Sequence, residues 1–167
     1  MLRENVYTSR YLAGQVKRYS TWPTIRQPNV AEHCWRVAGI YVEIFGLPRS
    51  EVLYYALHHD SGELWAGDVP FMVKHHTPGL RKAMDYGEAE GLRRLNITLP
   101  ELHPLEKIQV KISDILEMYE FGMAEWNMGN RYAMPIVADT MIEAKKLATK
   151  HDLIEEVEQW LTSIQTI

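Results

Sequence analysis

Apolar residues recur at helical spacing along nearly the whole chain, and this pattern constrains the fold more than any other feature. After Asn29, for example, Val30, Cys34, Val37 and Tyr41 fall on one stripe of a helix that Gly46 would end. Alternating runs of β-branched residues and Asn-Gly hairpin turns are both missing from the sequence. The sequence therefore predicts an all-α fold.

The same spacing predicts seven helical segments, and Pro23 and Pro28 separate the first two. They cover residues 5–18, 30–45, 49–60, 77–95, 103–126, 131–150 and 152–164. Arg18 would end the first helix. No repeat and no long linker divides the chain, so we expect a single bundle of six or seven helices forming one domain over residues 1–167.

Composition narrows the class of protein. The 167 residues are 46% hydrophobic and 24% charged, as in globular domains, and the single cysteine excludes a disulfide framework or a cysteine-rich zinc site. A net charge of −4 argues against non-specific nucleic-acid binding. There is no apolar run of the roughly 18 residues that a membrane helix needs. We expect a soluble cytoplasmic protein with neither a nucleic-acid nor a membrane partner.

Several polar side chains fall where the helical pattern places a core. Asp114 shares a stripe with Val110 and Phe121, and His59 shares a face with Ala56. Taken singly, such residues are usually hydrogen-bonded core histidines or helix caps. Together with His33, they supply imidazoles and carboxylates from three helices, a donor mixture that suits Mn, Fe, Co, Ni, Zn or Mg.

The order of these residues, and the sequence around them, resembles a known superfamily. The pattern His33…His59-Asp60…Asp114 is similar to that of the HD-domain metal-dependent phosphohydrolases. Two flanking phrases resemble the bacterial 5′-deoxynucleotidases of that superfamily: Arg18-Tyr19, Arg26 and Asn29-Val30-x-Glu32-His33, then His59-Asp60-x-x-Glu63-x-x-x-Gly67-Asp68-x-Pro70-x-x-x-Lys74. The short stretch from Asp60 to Asp114 is closer to the phage HD triphosphohydrolases that act on dATP. Tyr19 departs from both groups, which usually carry tryptophan there.

The resemblance implies a metal site and a hydrolytic residue. His33, His59, Asp60 and Asp114 would ligate one divalent metal ion, and a second, substrate-bridging Mg²⁺ is left open. Glu63 would orient or deprotonate the attacking water.

It also implies contacts with a nucleotide. Arg18 and Lys74 would hold phosphate, and Asp68 would contact the sugar hydroxyl or the leaving oxygen. Tyr19 would pack on the nucleoside, and Trp22 is a candidate for the base pocket. We interpret Cys34 as a packing residue.

The implied activity is hydrolysis of the 5′ ester P–O bond of deoxynucleotides, releasing the deoxynucleoside. Triphosphates, monophosphates or both remain open as substrates, with a preference for a range that includes dATP. The alternative is a catalytically silent HD-fold module that binds or senses a nucleotide. Relatives of this kind form dimers or hexamers, so we expect a homo-oligomer in the bacterial cytoplasm, or in that of the host if the chain is phage-encoded.

Overall fold

Helices dominate the described part of the chain. The structure is a computed structural model and describes residues 8–70, 73, 77 and 79–164. Within these residues the helices are α1 (Arg10–Gly14), α2 (Val30–Phe45), α3 (Ser50–His58), α4 (Glu63–Ala66), α5 (Leu80–Arg94), α6 (Pro104–Asn127), α7 (Met134–Lys150) and α8 (Ile154–Ile164). The described residues contain no strand, only one isolated antiparallel bridge between Lys17 and Asn29. The prediction of an all-α fold is confirmed.

The first helix is shorter than the predicted 5–18. It covers Arg10–Gly14, and the part of the prediction before residue 8 lies outside the described residues. Beyond Gly14 the backbone bonds to a distant stretch of chain, because the Val30 N–H donates to the Val16 carbonyl at 2.9 Å. Long-range partners satisfy the backbone groups that a continuing helix would have bonded locally. Arg18 therefore lies in a loop and does not end a helix.

Other boundaries follow the predictions more closely. The helix predicted over 30–45 is found at exactly those residues, whereas the one predicted over 131–150 begins with a 3-10 turn, Arg131–Ala133. The helix predicted from residue 77 begins at Leu80, after Gly79 in the left-handed region. The short helix α4 was not predicted, because Gly62 and Gly67 flank it closely.

The described residues form two compact units. The first consists of the residues up to Cys34 together with Leu57–Leu99, and the second of Trp35–Ala56 with the residues from Pro100 onward. Each unit thus combines two stretches that are separate in the sequence. The prediction of one domain over the whole chain stays a prediction.

In the first unit, α4 packs on α5 through two glycines. A Cβ at Gly62 would lie 2.2 Å from the Glu88 carbonyl oxygen, and a Cβ at Gly91 would lie 2.3 Å from the Gly62 carbonyl oxygen. No larger residue fits such a contact unless the backbone moves. This close approach sets the position of Glu63, the residue that follows Gly62.

We expect Gly91→Ala to lower the free energy of unfolding by about 3 kcal/mol, because its Cβ would meet rigid backbone atoms. Gly87→Ala on the same helix is the matched control, since its Cβ would meet the Ala66 Cβ at 3.2 Å. There the higher helix propensity of alanine offsets mild crowding. Urea unfolding of both variants measures the difference, and equal stabilities would contradict the packing argument.

The second unit contains two clusters of buried apolar side chains. One is built on α6, α7 and α8 and includes Ile112, Leu116, Ala144, Val157 and Trp160. The other joins α2, α3 and α6 and includes Val37, Tyr41, Val52, Ala56 and Val110. These clusters account for the apolar periodicity of the sequence.

An exposed ion pair in the second unit gives a pH-dependent prediction. Arg49 Nε donates to Glu106 Oε1 at 2.7 Å, and the His103 N–H donates to Glu106 Oε2 at 2.8 Å. The Arg49 bond, and then the His103 bond, lower the pKa of Glu106 to about 2 from its ordinary 4.5. The carboxylate stabilises the fold fully above pH 4.5, and this contribution disappears as the pH falls toward about 2.

Glu106→Gln is therefore expected to lower Tm at pH 7, with the gap to the wild type closing between pH 4.5 and about 2. Glu155→Gln, an exposed residue of α8, is the control and should follow the wild-type curve. Thermal unfolding monitored by circular dichroism across this range makes the measurement. A gap that is independent of pH would contradict the pairing.

None of the helices in the described part of the chain has the length and apolar character needed to cross a bilayer.

Candidate metal centre and its neighbours

His33 is delivered by the first turn of α2. The Asn29 side chain caps this helix, because its Oδ1 accepts from the Glu32 N–H at 2.9 Å. The Glu32 carboxylate pairs with Arg26. This cap fixes the helix start one turn before His33, whose side chain is 0% exposed.

His59 and Asp60 lie in the turn after α3, not on the helix as predicted. The helix ends at His58, and the Ser61 N–H donates to the His58 carbonyl at 3.0 Å. On a continuing helix, neighbouring side chains would point about 100° apart. In the turn, the side chains of His59 and Asp60 do not diverge in this way, and their polar atoms lie close together.

Three of the four predicted ligands meet in the first unit. His33 Nε2 lies 3.3 Å from Asp60 Oδ2, and His59 Nε2 lies 3.4 Å from Asp60 Oδ1. One donor atom from each residue lies within 4.8 Å of the others. Ligands about 2.1 Å from a tetrahedral ion lie roughly 3.4 Å apart. The spacing and the mixture of nitrogen and oxygen donors therefore fit one divalent metal ion.

Arg18 reaches the same carboxylate. Its Nη1 lies 2.8 Å from Asp60 Oδ2, and the whole residue is only 8% exposed. Burial opposes ionisation of Asp60, but the imidazoles of His59 and His33 and the guanidinium of Arg18 hold the pKa of this carboxyl group well below its usual range. Asp60 is therefore an anionic oxygen donor, and the guanidinium of Arg18 is a cation in contact with it.

Glu63 begins α4, three residues after Asp60. Its N–H donates to the Asp60 carbonyl at 3.0 Å, and the residue is 3% exposed. The donor cluster of the described residues consists of His33, His59 and Asp60. Glu63 is thus a buried carboxyl group whose backbone is hydrogen-bonded to that of Asp60, a candidate ligand.

The other described residues that were predicted for the site lie outside the cluster of donor atoms. The Tyr19 N–H donates to Asp68 Oδ2 at 3.0 Å, which joins these two residues in the first unit. Trp22 is 39% exposed, and Lys74 lies outside the described residues. Asp114 belongs to the second unit, where its Oδ2 lies 2.7 Å from Lys111 Nζ.

Two further residues in this region were not assigned to the site by the sequence. Gln27 donates from Nε2 to the Arg18 carbonyl at 2.8 Å. Cys34, interpreted as a packing residue, is buried with Sγ 3.8 Å from His59 Nδ1. Cys34 could have been suspected because it follows His33 directly, whereas the sequence carries no signal for Gln27 beyond its place between Arg26 and Pro28.

Comparisons with known proteins agree with the motifs. The sequence profile of the family described as 5′-deoxynucleotidase YfbR-like matches residues 11–164. A 5′-deoxynucleotidase of Vibrio cholerae is 30% identical over 143 residues, which cover 70% of this chain and 74% of that protein. One of Vibrio vulnificus is 31% identical over 100 residues, covering 53% of this chain and 52% of the relative. The chain thus spans about half the length of the first curated relatives that it matches.

Solved structures share the fold. The HD phosphohydrolase DatZ of cyanophage S-2L, solved with dA and one catalytic Zn²⁺, superposes with a TM-score of 0.76 at 22% identity over 95% of both chains. A protein of Pyrococcus horikoshii gives 0.68 at 19% identity over 98% of both chains. At these identities the likeness is one of fold. The family resemblance inferred from the sequence is confirmed by the profile match and by the Vibrio cholerae relative, and the chain belongs to the YfbR-like 5′-deoxynucleotidase family.

Proposed function

We propose that this chain is a metal-dependent phosphohydrolase of deoxynucleotides, which cleaves the bond between phosphorus and the 5′ oxygen and releases the deoxynucleoside. The observation that carries the proposal is the convergence of His33, His59 and Asp60 beside the buried guanidinium of Arg18. Family membership, and relatives named 5′-deoxynucleotidase, support the substrate class.

His33, His59 and Asp60 would hold the metal, and we propose Asp114 as the fourth ligand. A bound divalent ion supplies a Lewis acid for the phosphoryl oxygens and lowers the pKa of a coordinated water toward about 7. The donor set admits Mn, Fe, Co, Ni, Zn or Mg. The catalytic Zn²⁺ of the DatZ structure makes zinc one natural choice to test.

Glu63 would act as the general base. Its burial and its backbone bond to Asp60 support this role, since a base must lie close to the water that it deprotonates. The water oxygen would bond to phosphorus as the proton passes to Glu63. The P–O5′ bond would then break, and the proton held by Glu63 would pass to the 5′ oxygen of the departing deoxynucleoside, which restores the carboxylate.

Arg18 would neutralise the phosphate. A guanidinium forms paired hydrogen bonds with phosphate oxygens, and Arg18 is already held beside the ligand carboxylate of Asp60. Tyr19 would pack on the nucleoside, with Trp22 at the base and Lys74 on the phosphate. Asp68 would contact the sugar hydroxyl or the leaving oxygen.

Monophosphates and triphosphates present the same reacting phosphorus, the one bonded to the 5′ oxygen. A single arrangement of base, metal ligands and Arg18 therefore serves both, with orthophosphate or tripolyphosphate as the second product. We propose a range that includes dATP. Homo-oligomerisation and a cytoplasmic location stay predictions.

The test is product analysis. Purified protein is incubated separately with dAMP and with dATP, each with Mn²⁺, Co²⁺, Zn²⁺ or Mg²⁺ and with an EDTA control, and products are separated by ion exchange. Deoxyadenosine with tripolyphosphate identifies a triphosphohydrolase, and deoxyadenosine with orthophosphate from dAMP identifies a 5′-nucleotidase. Binding of either nucleotide without turnover in any metal would overturn the proposal in favour of a sensing module.

A further inference from the structure

Tyr19 has an unusual backbone conformation. Its φ is 55°, in the left-handed region that bulky side chains rarely occupy. Such a conformation persists only where the surroundings enforce it. The neighbours of Tyr19 should therefore include the groups that hold it.

Two of these groups belong to the backbone of the same loop. The Arg18 N–H donates to the Pro28 carbonyl at 3.0 Å, and the Trp22 N–H donates to the Tyr19 carbonyl at 3.0 Å. These two hydrogen bonds hold the N–H of Arg18 and the carbonyl of Tyr19, the first and last polar groups of the Arg18–Tyr19 dipeptide.

The peptide bond between Arg18 and Tyr19 is held by side chains. Gln27 Nε2 donates to the Arg18 carbonyl at 2.8 Å, and Asp68 Oδ2 accepts from the Tyr19 N–H at 3.0 Å. This one peptide unit thus has both its polar groups bonded, one on each side. Gln27 and Asp68 together are called the backbone clamp below.

By fixing the backbone of Arg18, the backbone clamp also restricts where its guanidinium can lie. Arg18 Nη1 lies 2.8 Å from Asp60 Oδ2, and the side chain is nearly excluded from solvent. A long side chain with several rotatable bonds keeps one position at lower entropic cost when its own backbone is fixed. If the peptide unit rotated so that Tyr19 relaxed to negative φ, the start of the Arg18 side chain would move with it.

We propose that Gln27 and Asp68 are positioning residues that hold the Arg18–Tyr19 peptide, and thereby keep Arg18 on Asp60 and the Tyr19 ring in place for the nucleotide. In this assignment Asp68 Oδ2 holds the Tyr19 N–H, and Gln27 holds the Arg18 carbonyl. The kinetic consequence rests on the proposed function, whereas the conformational consequence does not.

The first test compares two variants of Asp68. Asparagine keeps a carbonyl oxygen that accepts from the Tyr19 N–H, and alanine does not. We expect Asp68→Ala to raise the rate of tryptic cleavage after Arg18 about tenfold, because a hydrogen bond to a charged group is lost. Asp68→Asn should stay within about twofold of the wild type, since the loss of charge costs less than the loss of the acceptor.

The second test uses Gln27, which is exposed and far less prone to a folding defect on substitution. Gln27→Ala should raise the rate of cleavage after Arg18 about fivefold, because the loss of one ordinary hydrogen bond makes opening of the loop about fivefold more favourable. Gln15→Ala is the matched control, an exposed glutamine in the same segment, and should cleave at the wild-type rate. Native-state proteolysis followed by mass spectrometry locates each cut, and no substrate is required.

Steady-state kinetics with dAMP complete the design. The kcat/KM of Gln27→Ala should fall about fivefold, as its cleavage rate rises, whereas Gln15→Ala should keep the wild-type value. If Asp68→Asn is cleaved after Arg18 as fast as Asp68→Ala, the role of Asp68 as the acceptor for the Tyr19 N–H is overturned. Equal cleavage of Gln27→Ala and Gln15→Ala would overturn the role of Gln27. Wild-type protein without activity would remove the proposed function and leave the clamp to be judged by cleavage alone.

Discussion

His59→Gln is expected to lower the affinity for Mn²⁺ by at least about a hundredfold and to remove measurable hydrolysis of dAMP. Loss of a group that only hydrogen-bonds to a metal ligand lowers metal affinity about 10–100-fold. His59 is itself a proposed ligand, with Nε2 3.4 Å from Asp60 Oδ1, so its loss should cost more. Competition with a fluorescent chelator measures the affinity, and ion-exchange chromatography measures the deoxyadenosine released.

His58→Gln is the matched control for this variant. The two histidines are adjacent in the chain, but His58 Nδ1 lies 3.4 Å from Ser61 Oγ and takes no part in the donor cluster. We expect His58→Gln to bind Mn²⁺ and hydrolyse dAMP as the wild type does. Wild-type affinity in His59→Gln, or an equal loss in a folded His58→Gln, would contradict the assignment of the ligands.

Glu63→Gln is expected to lower kcat for dAMP about a thousandfold while leaving Mn²⁺ affinity unchanged. Glutamine keeps the size of the buried side chain but cannot take a proton, and a positioned general base contributes about 10²–10⁴-fold. The separation of the two effects follows from the position of Glu63, which is bonded to Asp60 through the backbone but lies outside the cluster of donor atoms.

The control for Glu63→Gln is Glu155→Gln on the exposed face of α8, which should behave as the wild type in both measurements. A Glu63→Gln variant that loses metal together with activity would make Glu63 a ligand. One that keeps full kcat would show that water is activated without this carboxylate.

Much of the site could be predicted because its elements have local signals. Asn29 caps α2 through its own side chain, and the helix predicted over residues 30–45 is found there with His33 in its first turn. The apolar stripe of α2 is buried as predicted, with Val37 fully excluded from solvent. Where the capping residue and the apolar periodicity agree, the sequence is sufficient to predict where a helix begins and which face it buries.

The parts that could not be predicted depend on distant partners. Residues 15–18 carry a helical pattern, yet the Val16 carbonyl bonds to Val30 and the Arg18 N–H to Pro28. The turn at His59 was missed because the apolar spacing of Val52 and Ala56 gives no sign that α3 stops at His58. The bond from Gln27 to the Arg18 carbonyl joins a side chain to a backbone group, and such contacts leave no pattern in a single sequence.

The most direct test of the central claim is the rate of dAMP hydrolysis by protein stripped of metal and then titrated with Mn²⁺, Co²⁺ or Zn²⁺. We expect the stripped protein to be folded and inactive, and we expect activity to return and level off near one equivalent of metal per chain. Hydrolysis that persists after complete stripping would contradict the role of His33, His59 and Asp60 as a catalytic metal site. A folded, metal-loaded protein that hydrolyses neither dAMP nor dATP would contradict the proposed activity itself.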